Sequence, residues 1–232
     1  KQVDGESLHR SAINHHALGD LDNAEKDYRE AIKIGYSHQD VLTNLGVLCR
    51  DSGRPEEAIY LYKKAIDNNP YSPNAYTNLG SIYTELGDFD QALSYTLRSL
   101  ELKTDNFTAH MNLGCIYQSL DNLDQALSST LKSVELKPDD PNALINLGGI
   151  YYKLGKLDQA LEATLKSIVH KPDSPDALIN LGNIYRGLGK LDLALEATLK
   201  SLELNPNSPD GHINLGIIYK DLGKLDLALE AT

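Results

Sequence analysis

Asn-Leu-Gly, followed three residues later by Tyr or Cys, begins at Asn44, Asn78, Asn112, Asn146, Asn180 and Asn214, each step 34 residues. A fixed period of that length means that one helix-turn-helix unit, unable to bury its apolar face alone, is stacked on copies of itself. Counting domains by length therefore does not apply, and one elongated array is expected. With Pro73 as position one, the units are 5–38, 39–72, 73–106, 107–140, 141–174 and 175–208, with a seventh running 209–232 and residues 1–4 as an N-terminal extension.

Each unit should hold a helix A of about fourteen residues, a turn, and a helix B. Gly53, Gly87, Gly155, Gly189 and Gly223 fall where helix A ends, a position that wants a left-handed residue; Asp121 stands there once. Ser72-Pro73, Ser174-Pro175 and Ser208-Pro209 read as an N-cap followed by Pro at the first helical position. Within this frame Gly80, Tyr83, Ala92 and Ser99, and again Gly114, Tyr117, Ala126 and Pro138, resemble the tetratricopeptide-repeat family, over residues 5–232. The resemblance implies an all-α fold, a right-handed α-solenoid of antiparallel helix pairs, whose helix A lines a concave surface. The family mostly binds proteins. Unit 5–38 departs from the pattern, with Arg10, Ala12 and His15 where later units have Asn, Gly and Tyr, as a terminal cap would.

A net charge of −11 and a pI near 5.0 exclude a nucleic-acid backbone as partner, which needs clustered Lys and Arg. No run is long and apolar enough to span a membrane, and the start at Lys1 has neither Met nor a signal core; the chain reads as a soluble, cytoplasmic fragment. Cys49 and Cys115 lie two repeats apart, beyond disulfide reach.

On a helix of 100° per residue, positions 4, 7, 8, 11 and 14 gather on one side, as in Leu144, Leu147, Gly148, Tyr151 and Leu154, and are expected to be core. Positions 2, 6, 9 and 13 gather opposite, flanked by 5 and 12. Units 141–174 and 175–208 match at 24 of 34 positions, and in helix A they differ only at Asn142/Asp176, Gly149/Asn183, Tyr152/Arg186 and Lys153/Gly187. The variation sits on that opposite wall, either because it reads different stretches of a ligand or because exposed positions drift.

Position 6 alone on that wall does not vary after the first unit. An Asn side chain can pair with both the N–H and the C=O of an extended peptide, whatever the peptide's side chains. Asn44, Asn78, Asn112, Asn146, Asn180 and Asn214 resemble the asparagine ladder of the O-linked N-acetylglucosamine transferase superhelix, which implies peptide reading. The alternative is a hydrogen bond to a neighbouring helix. Position 5 reads Thr43 and Thr77, which are polar, then Met111, Ile145, Ile179 and Ile213, which would be an apolar strip for ligand side chains or a row half-covered by the next helix. Tyr152 and Arg186 at position 12, with Arg50, Lys153 and Lys220, join the candidate wall; Asp40, Asp51, Glu85, Asp176, Asp210 and Asp221 make it mixed in charge.

Other signals are read as packing. The carboxylate clamp known in this family requires Lys at position 5 and basic residues at position 6, and it is absent. His9, His15 and His16 have no acidic or Cys ligand placed with them, so no metal site is expected. Thr96, Thr130, Thr164, Thr198 and Thr232 form a row at position 24, where Tyr28 and Tyr62 stand earlier. The Pro pairs at the unit links stop helices. No catalytic arrangement and no cofactor motif emerges. The leading expectation is a non-catalytic scaffold that binds an extended protein segment through the Asn row. The alternatives are the substrate-recognition arm of a larger enzyme, such as a glycosyltransferase with its catalytic domain outside this chain, and self-association through the C-terminal edge.

Overall fold

The computed structural model describes residues 4–230, so Lys1 to Val3 of the N-terminal extension and Ala231 and Thr232 lie outside the described residues. It divides into two compact units, residues 1–112 and 113–232, with the boundary inside one helix. In the first, helix pairs follow one another as α1 (Gly5–Ala17) with α2 (Leu21–Lys33), α3 (Gln39–Asp51) with α4 (Pro55–Asn68), and α5 (Pro73–Glu85) with α6 (Phe89–Leu102). Helix α7 (Phe107–Ser119) carries the boundary. The second unit continues with α8 (Leu123–Leu136), α9 (Pro141–Lys153), α10 (Leu157–His170), α11 (Pro175–Gly187), α12 (Leu191–Leu204), α13 (Pro209–Asp221) and α14 (Leu225–Glu230). Odd-numbered helices are helix A and even-numbered ones helix B. The described residues contain α-helix and turns only, in the register expected from the 34-residue period.

The turns follow the expected chemistry. Gly53, Gly87, Gly155, Gly189 and Gly223 adopt φ between +71° and +75°, and Asp121 takes φ +56°, the one non-glycine with positive φ among the described residues. At that turn Asn122 N–H closes on the Tyr117 carbonyl at 2.8 Å, the bond that Lys156 N–H makes to Tyr151 at 2.9 Å after Gly155. The caps follow it in part. Ser174 and Ser208 accept from the N–H of Ala177 and Gly211, but Ser72 makes no side-chain cap bond despite the same Ser-Pro pair.

The core differs from the expected stripe. Leu144, Leu147 and Gly148 are buried, but so are Ala143 and Ile150 at positions 3 and 10, whereas Tyr151 and Leu154 are only half-buried. The reason is that α9 packs against α8, α10 and α11 together, so its buried arc is wider and turned relative to a stripe facing one partner. Helices A and B cross where Gly stands at position 8. A Cβ on Gly148 would lie 2.4 Å from Thr164 Oγ1, and one on Gly46 would lie 2.5 Å from the Tyr62 ring. Thr96, Thr130, Thr164 and Thr198 are buried and their hydroxyls make no hydrogen bond, which makes the described part of the Thr row a packing feature.

His15 departs from expectation in the first repeat. It occupies the Tyr position but is half-buried, and its Nδ1 lies 3.1 Å from Asp27 Oδ2, an acidic partner the sequence frame did not supply.

Candidate functional site

The six asparagines at position 6 share one degree of burial. Helix A places each of them one residue before a buried Leu, so the backbone is anchored while the amide is half-buried. What the amide then meets is set by the preceding helix A. Asn112 Nδ2 donates to the Thr77 carbonyl at 3.2 Å and to Ser81 Oγ at 2.8 Å. Asn146 Nδ2 donates to Cys115 Sγ at 3.3 Å, and Asn180 Nδ2 to the Ile145 carbonyl at 3.3 Å. The rule is common to all three: an Asn at position 6 reaches position 5 or 9 of the helix A one repeat earlier. Where position 9 is Gly149, a Cβ would sit 3.8 Å from Asn180 Nδ2, so the missing side chain leaves the amide room to reach the main chain. Asn44 approaches the Tyr28 hydroxyl without closing a hydrogen bond to it, and Asn214 Nδ2 is buried with no partner. Asn78 is half-buried like the others.

Position 5 changes along the chain. Thr43 and Thr77 are buried, each hydroxyl bonding back to the carbonyl of its own helix, at Gln39 (2.8 Å) and Pro73 (2.9 Å). Met111, Ile145 and Ile179 are half-buried, and Ile213 is 52% exposed. Ile213 borders an apolar cavity of about 440 Å3 with Ile217 and Leu225. The expected apolar strip thus exists as half-covered residues rather than open ones, except at Ile213.

Positions 12 and 13 are coupled in a way the sequence reading missed. Arg186 Nη1 lies 3.8 Å from Asp221 Oδ2, one repeat plus one residue later. The counterpart pair is Tyr152 and Gly187, where a Cβ on the glycine would lie 3.6 Å from the Tyr152 ring. Arg50 bonds Asp51 at 2.9 Å and feels Glu85 at the equivalent offset, and its pKa is raised although burial opposes this. The differences between units at these positions are therefore matched across the repeat junction. The signal was present in the sequence as complementarity at a separation of 35, which comparison of aligned positions does not test.

Neither cysteine offers reactivity. Burial pushes the Cys49 thiol up to about 11 and raises that of Cys115, the latter against the Asn146 hydrogen bond, so both stay protonated near neutrality. Among the described residues no group of three His, Cys, Asp or Glu is placed to hold a metal ion, and no helix is long and apolar enough to cross a membrane.

Tetratricopeptide-repeat family models match residues 5–70, 61–94, 107–140, 130–162, 148–189, 175–208 and 197–230. Together they take in most of the chain. The chain belongs to the tetratricopeptide-repeat family. Solved structures agree on the fold. A tetratricopeptide-repeat protein from Parabacteroides merdae superposes with a TM-score of 0.74 at 22% identity, over 98% of this chain and 90% of that one. In the Cut9–Hcn1 hetero-tetramer of the APC/C the TM-score is 0.83 at 20% identity, over 98% of this chain but 44% of that one. YrrB, described as a TPR protein with an unusual peptide-binding site, gives 0.59 at 23% identity, over 79% and 95%. Among curated proteins no sequence matches the chain. As a tetratricopeptide-repeat array it is a protein-interaction scaffold, with protein or peptide as the class of partner.

Proposed function

We propose that the scaffold is non-catalytic and holds an extended segment of a partner protein against the helix-A wall that bears the Asn row. The observation that supports this is the way Asn112, Asn146 and Asn180 turn the amide NH2 toward the preceding helix A, Asn112 with two bonds and the others with one. That bond fixes the amide plane and leaves Oδ1 available as an acceptor. An extended peptide supplies main-chain N–H groups at regular spacing, so recognition of this kind is tolerant of sequence. YrrB, with its peptide-binding site, and Cut9, in its assembly with Hcn1, are relatives in fold that also point to protein ligands.

Magnitudes limit what the row does alone. Three such bonds at about 0.5–1.5 kcal/mol each give at most a millimolar complex. Apolar contacts with Ile145, Ile179 and Ile213, and polar ones with Tyr152 and Arg186, must supply the rest. Selection from a random peptide display library on the wild-type chain, followed by titration against Asn146→Ala and Asn146→Ala/Asn180→Ala, tests this. The single variant should weaken the selected peptides about two- to tenfold and the double variant more, with unchanged helix content. Peptides that bind all three chains equally would show the row to be structural only.

A further inference from the structure

A second site is suggested by comparing the molecule with itself. Between α8, α9 and α10 lies a cavity of about 250 Å3 walled by Leu144, Leu147, Tyr151 and Ala163, with Glu162 and Lys166 among its polar lining. Leu144, Leu147 and Ala163 are buried, while Glu162 and Lys166 are exposed and paired at 2.8 Å, so the walls are apolar and the rim is charged. Asn146 is not part of it.

The equivalent place 68 residues earlier in the repeat frame is filled. There Tyr76 stands for Leu144, Tyr83 for Tyr151, Tyr95 for Ala163 and Arg98 for Lys166. Tyr95 stacks on Tyr83 with centroids 5.6 Å apart and planes 5° from parallel, and Tyr76 tilts against Tyr95 at 6.4 Å. Arg98 lies beside Tyr76 at the edge of the cluster and donates to Glu101 at 2.7 Å. Repeat 141–174 keeps the receiving ring, Tyr151, and a cation at the rim, but has lost both rings that would rest against them. The scaffold itself therefore defines the shape and chemistry of what fits: a phenol ring laid on Tyr151, its hydroxyl at the rim beside Glu162 and Lys166.

We infer that this cavity is an anchor site for a tyrosine side chain presented by a partner protein. Offset aromatic stacking favours a ring over an aliphatic group of equal area, and the charged rim favours tyrosine over phenylalanine. The site is separate from the Asn row, so either can fail without the other.

The test is an NMR titration of the full chain with N-acetyl-tyrosinamide, N-acetyl-phenylalaninamide and N-acetyl-leucinamide. The expected result is saturable shifts centred on Tyr151 and Ala163, strongest for the tyrosine derivative. Ala163→Tyr, which restores the chain's own ring, should abolish them, and Tyr151→Leu should weaken binding about two- to tenfold. Asn146→Ala should leave them unchanged. Because Ala163→Tyr could perturb packing, Tyr151→Leu serves as the second variant, and the inference stands or falls on both. Equal binding of the leucine derivative, shifts spread over the surface, or shifts unaltered in Tyr151→Leu would overturn it. A concentration-dependent mass abolished by Ala163→Tyr would also overturn it, by seating an exposed tyrosine of a second copy, Tyr60 or Tyr71, in the cavity instead.

Discussion

The α3/α4 crossing of the first compact unit and the helix crossings of the second solve the same packing problem with different chemistry. In the first, the crossing of α3 and α4 sets Gly46 against the ring of Tyr62, and the α2 helix is tied to the next repeat by a network of Glu25, Arg29, Arg54 and Glu57. In the second, the crossing of α9 and α10 sets Gly148 against Thr164, and the crossing of α11 and α12 sets Gly182 against Thr198 in nearly the same geometry. The α3/α4 crossing is held by large and charged groups specific to its place; the small contact recurs, and it reaches back into the first unit where α5 and α6 cross with Gly80 against Thr96. The backbone register fixes how near the helices come, and the side chains at position 24 decide how much tolerance remains.

The largest effects should come from filling those crossings. Replacing a helical Gly with Ala ordinarily gains up to about 1 kcal/mol, so a loss in either case reports the clash. Gly46→Ala drives a methyl into a fully buried ring, and a cost of about 3 kcal/mol or more is expected in urea unfolding. Gly148→Ala meets only one hydroxyl at 2.4 Å, with the Ala160 carbonyl at an ordinary 3.4 Å, and should cost about 1–3 kcal/mol. The comparison sharpens in the double variants. Thr164→Ala should rescue Gly148→Ala because it removes a hydroxyl that has no hydrogen bond to lose. Tyr62→Ala should not rescue Gly46→Ala, since it opens a cavity worth about 3–5 kcal/mol. Rescue in both, or in neither, would break the distinction between the two kinds of crossing.

Acid should separate the two units next. The Arg54 hydrogen bonds hold the Glu25 carboxyl at about 2, against an ordinary value of 4.5. A depressed folded-state pKa contributes stability that is complete above the unfolded-state value and is lost as pH falls through the folded one. The loss is therefore expected between pH 4.5 and about 2, confined to the first unit. It amounts to at most about 3 kcal/mol, and less after screening, because Glu25 keeps 26% of its side-chain surface exposed. Amide hydrogen exchange across that range should show α2 and α3 opening before α9 and α11. The Glu25→Gln variant should flatten the difference.

Much of this molecule was legible in its sequence because the period does most of the work. The helix register, the left-handed turns and the small residue at the crossing all follow from the 34-residue frame. Departures arise where a residue answers to a neighbour rather than to its own helix. Ile150 is core because α9 has three packing partners, and Ser72 lacks the cap bond that Ser174 makes although both precede Pro. The candidate wall stays an expectation drawn from positions on a helix wheel, and the contacts its side chains make were only half readable. A hydrogen bond from the Asn row to a neighbouring helix was among the expectations, but which atoms Asn146 and Asn180 would reach, and that Arg186 would find Asp221, depends on a reach across repeats that a single-helix wheel does not contain.

The smallest expected effect concerns the one turn that breaks the glycine rule. Asp121 holds φ +56°, and its turn closes with the same bond as the Gly155 turn of the same unit. A non-glycine residue there carries a steric cost of about 1 kcal/mol, reduced for Asp by its short polar side chain. Asp121 also lies two residues beyond the C-terminal end of α7 at Ser119, where a negative charge opposes the helix dipole. Against this, glycine brings more backbone entropy to the unfolded chain, which removes part of the gain. Asp121→Gly should therefore raise stability by about 0.5 kcal/mol, read as a shift in urea midpoint at constant slope. The reverse change, Gly155→Asp, should lower it by a similar amount. A destabilised Asp121→Gly would mean that the aspartate is held by something other than turn geometry, and that this junction differs from its neighbours in kind.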